Sequence, residues 1–459
     1  MSDHVTDQPA VSAPLESALE PATPEPAGGR TPRAAMLIVF LVVFIDLLGF
    51  GIVLPLLPRF GDEYIAAVIP DGKEAPLGGA VLGLLMASFS LMQFIFAPIW
   101  GRISDRVGRR PILLMGLAGS VVFYSLFGYA LSLPPATEAP LALALLFVAR
   151  TGAGIAGATI STAQAVIADC TAPQKRKHGM ALIGAAFGIG FTFGPLLGAG
   201  SLRLFPHQHA VIGYTAAGLT LVALALGLLL LPETRRPGGP VVERRWLNVH
   251  AWQVAMTTPT LAPVVLTFFL ATLGFGTFET TLSLINRDAL GLPDENNYLL
   301  FAYVGFVLML TQGVLYRRLA NRLSEVTFMT LGLAFMGLGV GSLAGVNWAG
   351  VERALDFWPL LAWMMVSVTL AVIGFAFLTP SAQALVSRRT DAARQGEVLG
   401  VNQSASAMAR ILGPMLGLTL YKATPSHMLP YLFGAALLVL MLPLIPRIRR
   451  GDESGGHLR

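Results

Sequence analysis

GRISDRVGRR, residues 101–110, packs four arginines, one aspartate and two glycines into ten positions of a chain that is only 12% charged. Long apolar runs flank it on both sides, at about 79–100 and 111–132. A segment so short is no domain, and its charges are too costly to leave in hydrocarbon. It therefore marks a place where two membrane helices turn back into water. The flanking runs suit that role, since a hydrocarbon core roughly 30 Å thick takes about 20 residues of helix.

The same pattern fills the 459 residues. Apolar residues make up 54% of the chain and the mean hydropathy is +0.67, whereas soluble proteins carry about a quarter charged residues. Apolar runs fall at about 34–58, 79–100, 111–132, 141–169, 179–203 and 210–231. After a polar stretch, six more follow at about 260–286, 298–316, 327–346, 358–386, 398–421 and 427–446. This predicts an all-α polytopic membrane protein with twelve transmembrane helices. They form two six-helix bundles, 34–231 and 260–447, joined by a linker at 232–259. Residues 1–33, rich in Pro, Ala, Ser and Glu without an apolar core, read as a disordered tail and not a signal peptide. Residues 448–459 read as a second tail. The single cysteine, Cys170, excludes an internal disulfide and a CxxC metal site.

Lysines and arginines of the loops set the orientation. With both termini in the cytoplasm, 23 of them lie in inner segments and six outside: Arg59, Lys73, Arg203, Arg287, Arg353 and Lys422. Both ends are thus expected to face the cytoplasm, with the protein in the inner (plasma) membrane. The net charge of +5 reflects this topology; the basic residues are spread over short loops without aromatic interleaving, which excludes a nucleic-acid surface.

The two halves echo each other. Ala163-Gln164-Ala165 recurs as Ala382-Gln383-Ala384, and Gly194-Pro195 with Gly198 recurs as Gly413-Pro414 with Gly417, both at an offset of 219. The LGFG of 48–51 recurs at 273–276, and Asp105-Arg106 aligns with Asn321-Arg322. Matches in one helix order indicate a duplicated six-helix unit, a transporter plan that holds substrate near the midplane between the halves. Gln164 and Gln383 are placed in that cavity.

Four ionisable residues lie well inside runs: Asp46, Arg150, Glu279 and Arg410. Such residues usually face a bundle interior or cavity. Asp46 sits roughly 16 Å from the inner face and Arg150 roughly 13 Å from the outer one, so both lie near the midplane. A carboxylate whose protonation is raised by burial and lowered by a nearby cation suits a proton relay; the competing reading is a static salt bridge. Glu279 faces the substrate cavity or is a wetted carboxylate near the outer mouth. Arg410 either attracts an anionic substrate or pairs with Glu279. Run 5 carries Gly184, Gly188, Gly190, Gly194, Pro195, Gly198 and Gly200, which predicts a bend and a sliding surface or, more simply, tight packing. Gly152-Ala-Gly154-Ile-Ala-Gly157 matches a dinucleotide fingerprint, but inside a membrane run it reads as a small-residue packing face. All seven histidines lie in loops or tails, and no Walker sequence for ATP is present. No enzyme and no cofactor are expected.

With these motifs the chain resembles the major facilitator superfamily over residues 34–447, and within it the drug:proton antiporter branch nearest the tetracycline-efflux-like group. Gly101, Asp105, Arg106, Gly108, Arg109 and Arg110 match the superfamily's loop between helices 2 and 3. DLLGFGIVLPLLP, residues 46–58, resembles the helix 1 motif. Residues 150–157 resemble the helix 4 motif whose arginine is linked to proton coupling. GIGFTFGPLLG, residues 188–198, resembles the helix 5 antiporter motif. The resemblance implies a monomeric secondary transporter that exchanges protons for small amphipathic compounds, or alternatively one for organic anions or metabolites. It implies that Asp105 engages Arg109 and the amino end of helix 11, and that Asp169 joins this charge cluster as a gate. The second copy of the loop is degraded, with Arg317, Asn321 and Ser324 in place of Gly, Asp and Gly. Phe123 precedes Tyr124 where the tetracycline pumps carry an acidic residue, so the expected substrates are amphipathic compounds as a class.

Overall fold

The computed structural model describes residues 32–69, 75–170, 176–234, 253, 256–390 and 395–455. All regular structure there is helical. The first half comprises α1 (Pro32–Val53), α2 (Leu57–Val68), α3 (Pro76–Val107), α4 (Arg109–Ser132), α5 (Pro135–Ala156), α6 (Ile160–Asp169), α7 (Arg176–Leu204) and α8 (Ala210–Leu230). The second comprises α9 (Ala262–Asp288), α10 (Asp294–Leu310), α11 (Arg317–Leu319), α12 (Glu325–Val351), α13 (Phe357–Arg388), α14 (Gln395–Tyr421), α15 (Leu429–Met441) and α16 (Ile445–Gly455). One 3₁₀ turn joins α5 to α6, and a π turn at Thr311–Tyr316 joins α10 to α11. With α15 and α16 joined by a second 3₁₀ turn, the result is twelve long rods and the short α2 among the described residues, ten of the rods long and apolar enough to cross a membrane. The other two are α7 and α14, which carry the Gly-Pro motifs. Most of the expected tail and linker lie outside the described residues.

The opening stretch is more helical than a turn. α3 runs through Val107 and α4 starts at Arg109, leaving Gly108 alone between them. Gly108 has φ of 121°, and a Cβ there would meet the Glu233 carboxylate at 2.5 Å, so only glycine fits. Asp105 and Arg109, four positions apart, form an ion pair across the break.

The repeated motifs interlock. Gly194 of α7 lies against Gly51 of α1, where a Cβ would come within 2.9 Å of the Gly51 Cα; Gly190 packs on Leu47. In the second half a Cβ on Gly413 of α14 would lie 3.1 Å from the Gly276 Cα of α9, and one on Gly417 would lie 2.9 Å from the Thr277 Cα. The glycine ending each LGFG therefore receives the glycine of the matching Gly-Pro. Small residues on both sides bring the backbones together, which is how helices associate in lipid. Pro195 and Pro414 both lie within continuous helices. In the glycine triplet of α5, Gly152 faces the Phe123 ring and Gly154 the Phe89 carbonyl, which is a packing face.

Candidate functional site

One end of the bundle holds the start of α1, the α3–α4 break and α16; we term it the terminal face. Here Arg109 gathers charge. Its guanidinium pairs with Asp105, lies 3.3 Å from Asp169 and donates to Ser104 Oγ at 2.7 Å. Glu233, just past α8, accepts from the backbone N–H of Arg109 at 2.9 Å and of Arg110 at 3.1 Å. A carboxylate is stabilised there by the amino end of α4. Arg110 donates to Leu228 O, Arg106 is exposed and Gly101 packs on Ser161. Two sets of ion pairs among the described residues of this face, Asp105–Arg109–Asp169 and Glu325–Arg388, each lie within one half. The residues leading into the amino end of α14, 391–394, lie outside the described set. Glu233 escaped the sequence reading because its role depends on the chain folding back from α8.

Cys170 closes α6 beside this cluster. Burial, assisted by the Asp169 charge, pushes its thiol up to about 11. The thiolate is the reactive form, so maleimide labelling of Cys170 at pH 7.5 is expected to run about 100-fold slower than that of an ordinary cysteine. Raising the pH should speed it steadily through pH 10.

At mid-span the first half presents Arg150. It is 2% exposed, and its Nε and one Nη have no hydrogen-bond partner. Its guanidinium lies 4.7 Å from the Phe89 ring centre and 5.9 Å from that of Phe50. Cation–π attraction offsets part of the burial cost. Phe50 stands one turn of α1 after Asp46, whose side chain lies outside the described residues. In the second half Glu279 of α9 is half-buried and feels the charge of Arg410 of α14. Arg410, Gln164 and Gln403 are exposed within their helices, and Gln383 is half-buried.

The opposite face is closed by contacts between the halves. Arg59 of α2 pairs with Asp294 and donates to Leu292 O at 2.5 Å. Asp62, one turn on, pairs with Lys422 after α14 and lies 2.9 Å from Arg287 of α9. His209 Nε2 lies 3.3 Å from Asp294, and Arg203 3.4 Å from Glu295. Asn297 donates to Pro55 O at 2.9 Å and Tyr298 to Ile52 O at 2.6 Å, fastening α10 to the end of α1. Backbones meet as well: a Cβ on Gly79 would lie 2.3 Å from Leu418 O, and one on Gly305 2.7 Å from Phe191 O. Exposed pairs such as Arg203–Glu295 contribute about 0–1 kcal/mol. Breaking a buried pair by deleting one partner costs about 3–5 kcal/mol, and Asp62 and Lys422 are only 1% and 3% exposed. Sequence reasoning counted Arg59, Arg203, Arg287 and Lys422 as outer charges running against the prevailing bias. Their persistence on that side was the available signal.

Comparison with known proteins agrees with this architecture. The family model of the Major Facilitator Superfamily matches residues 39–361 and 318–457. The class D tetracycline resistance protein of Salmonella ordonez is 29% identical over 422 residues, covering 90% of this chain and 96% of that protein. Among solved structures, the human organic anion transporter MFSD10 superposes with a TM-score of 0.56 at 24% identity, over 91% of this chain and all of the other. A D-xylose-proton symporter superposes with a TM-score of 0.73 at 16% identity, over 91% of this chain and 99% of the other. This chain is a membrane transporter of small molecules, not an enzyme, and needs no cofactor beyond an ion gradient. Interlocked repeats, twelve long rods among the described residues and a family model spanning nearly all of them lead to one conclusion: the chain belongs to the major facilitator superfamily.

Proposed function

We propose that the protein exports small amphipathic compounds from the cytoplasm in exchange for protons, by alternating access. The terminal face is the cytoplasmic one, the membrane is the inner (plasma) membrane, and a monomer is the working unit. The observation that carries the reading is Arg150, a buried mid-span cation with two unpartnered nitrogens one helical turn from the level of Asp46. A charge so placed calls for a counter-charge that comes and goes. Asp46 is the proton site and Arg150 tunes it. Glu279, Arg410, Gln164 and Gln383 line the substrate cavity. The α3–α4 cluster of Gly101, Asp105, Arg106, Gly108, Arg109, Arg110 and Asp169 acts as the cytoplasmic gate. Gly190, Gly194, Pro195, Gly198, Gly413 and Pro414 form the surfaces that slide. Similarity to tetracycline resistance proteins along most of the chain supports export of this kind.

The test is transport in proteoliposomes with a panel of amphipathic drugs and organic anions. A drug flux that follows an imposed pH gradient and stops when the gradient is collapsed is the expected result. Equal flux in both conditions would remove proton coupling. Arg410, an exposed residue of α14 beside Glu279, favours a second reading, transport of organic anions. Under it, Arg410→Ala should reduce anion flux about tenfold or more while sparing neutral compounds, a loss matching one charge-assisted hydrogen bond; an unchanged anion preference would remove it.

A further inference from the structure

Past the last membrane span the chain reads Ile445-Pro-Arg447-Ile448-Arg449-Arg450, apolar and cationic residues in close alternation. Helix α16 sorts them by face: Ile448 is fully buried, whereas Arg447, Arg449 and Arg450 are exposed. The helix is held in place from α13, where Arg389 donates to Ile448 O at 2.6 Å and to Thr260 O at 2.9 Å. Ile445 and Arg449, one turn apart, face a cavity of about 440 Å³. Its other wall is the start of α12, with Ser324, Val326, Thr327, Thr330 and Leu331.

Among these described residues Arg449 is the one charged side chain. The carboxylate next in sequence, Glu325, is paired with Arg388 at 3.3 Å. Ser324 Oγ and Thr327 Oγ1 lie 2.9 Å apart, so whichever donates, the other keeps its proton for an outside acceptor. Thr330 spends its own proton on Val326 O. The cavity therefore offers an anion a guanidinium and a hydroxyl. Beyond it, Thr327, Leu331, Ala334 and Leu338 follow at i, i+4, i+7 and i+11, on one face of α12. Ala334 and Leu338 are exposed, Leu338 at 64%, on a helix of membrane-crossing length and hydropathy. That face meets lipid tails, and the cavity stands at its head, level with the membrane surface.

We propose that the cavity binds the head group of an anionic phospholipid of the phosphatidylglycerol type. The phosphate lies on Arg449 and the Ser324–Thr327 pair, and one acyl chain follows Leu331 and Leu338. The site needs only a bilayer around the chain; it depends neither on which side the terminal face looks to nor on proton coupling. Pockets of about 300–1,000 Å³ take small molecules, so there is room for a phosphate together with its glycerol. A lone phosphate would leave the apolar wall of Val326, Leu331 and Ile445 in contact with water. A head group ending in an ammonium would bring a cation to Arg449 without a carboxylate to receive it. Basic residues just beyond a membrane span also draw anionic lipid to the surface.

Native mass spectrometry of the purified full chain in mild detergent, titrated with dioleoylphosphatidylglycerol, counts the lipids that stay bound. One tightly held lipid is expected, and dioleoylphosphatidylcholine should bind about tenfold more weakly. Equal retention of the two lipids, or no retained phosphatidylglycerol, would overturn the proposal. Arg449→Ala should weaken the phosphatidylglycerol complex about tenfold or more. Arg447→Ala, on the opposite face of α16 and outside the cavity, should change it by less than about threefold. Equal losses from the two would reveal a diffuse basic surface and no site. Thr330→Phe fills the cavity while keeping every charge, so unchanged binding in that variant would also overturn the proposal. Inorganic phosphate and glycerol 3-phosphate should leave the lipid in place; displacement by either would assign the cavity to a soluble phosphate compound. Loss of gradient-driven export with lipid binding intact would sink the antiport reading and leave this site standing.

Discussion

Gly83→Leu is expected to hold the transporter open on the face closed by Arg59 and Asp62 and to cut transport to a few per cent. A Cβ at this position would lie 2.6 Å from the Met415 Cα and 2.9 Å from Pro414 O. Both are backbone atoms of α14, in the other half, and neither can rotate away. Overpacking in a filled interior typically costs about 1–3 kcal/mol, and a strain of about 3 kcal/mol moves a two-state balance more than 100-fold. The strain exists only where α3 and α14 touch, so the state in which they separate escapes it. The check is twofold: the distance between spin labels on Val68→Cys and Leu355→Cys, both exposed, in a Cys170→Ser background should lengthen, and drug flux should fall. Gly218→Leu is the control, since nothing lies within 4 Å of a Cβ there, and it should transport normally. A short distance in Gly83→Leu would show that the contact between α3 and α14 tolerates the added bulk.

Asp46→Asn is expected to abolish export driven by a pH gradient while leaving exchange of labelled for unlabelled substrate. The argument starts from Arg150, whose buried guanidinium has two nitrogens without partners. If Asp46 supplies its counter-charge in one state of the cycle, deleting that charge costs about 3–5 kcal/mol in that state, more than 100-fold in its population. Turnover that must pass through the charged state then stalls, and turnover that avoids it continues. Adding Arg150→Gln should restore folding stability without restoring coupling. Full gradient-driven export by Asp46→Asn would move the proton site elsewhere, with Glu279 the next carboxylate to test.

The spans were legible because hydrocarbon demands a continuous apolar helix, which leaves its mark on every window of about 20 residues. The repeat was legible too, although the reason for it was not. Gly51 and Gly194, or Gly276 and Gly413, are far apart in sequence, and only folding shows that each pair is a single crossing. Helix α2 was missed because Arg59 and Asp62 interrupt the apolar pattern, so the first run appeared to end in a loop. Their partners at Asp294, Arg287 and Lys422 lie more than 200 residues away, and no local rule joins them. The 101–110 stretch was read as a turn because charge density marks exit from the membrane. An i,i+4 ion pair and a carboxylate from beyond α8 instead let helix continue on both sides of Gly108.

The contacts of Arg59 and Asp62 cross the halves, whereas the Asp105–Arg109 and Glu325–Arg388 pairs of the terminal face do not. A carrier built this way rests with that face shut. Small molecules on that side then find no path through an empty carrier, so the protein at rest does not leak them across the membrane.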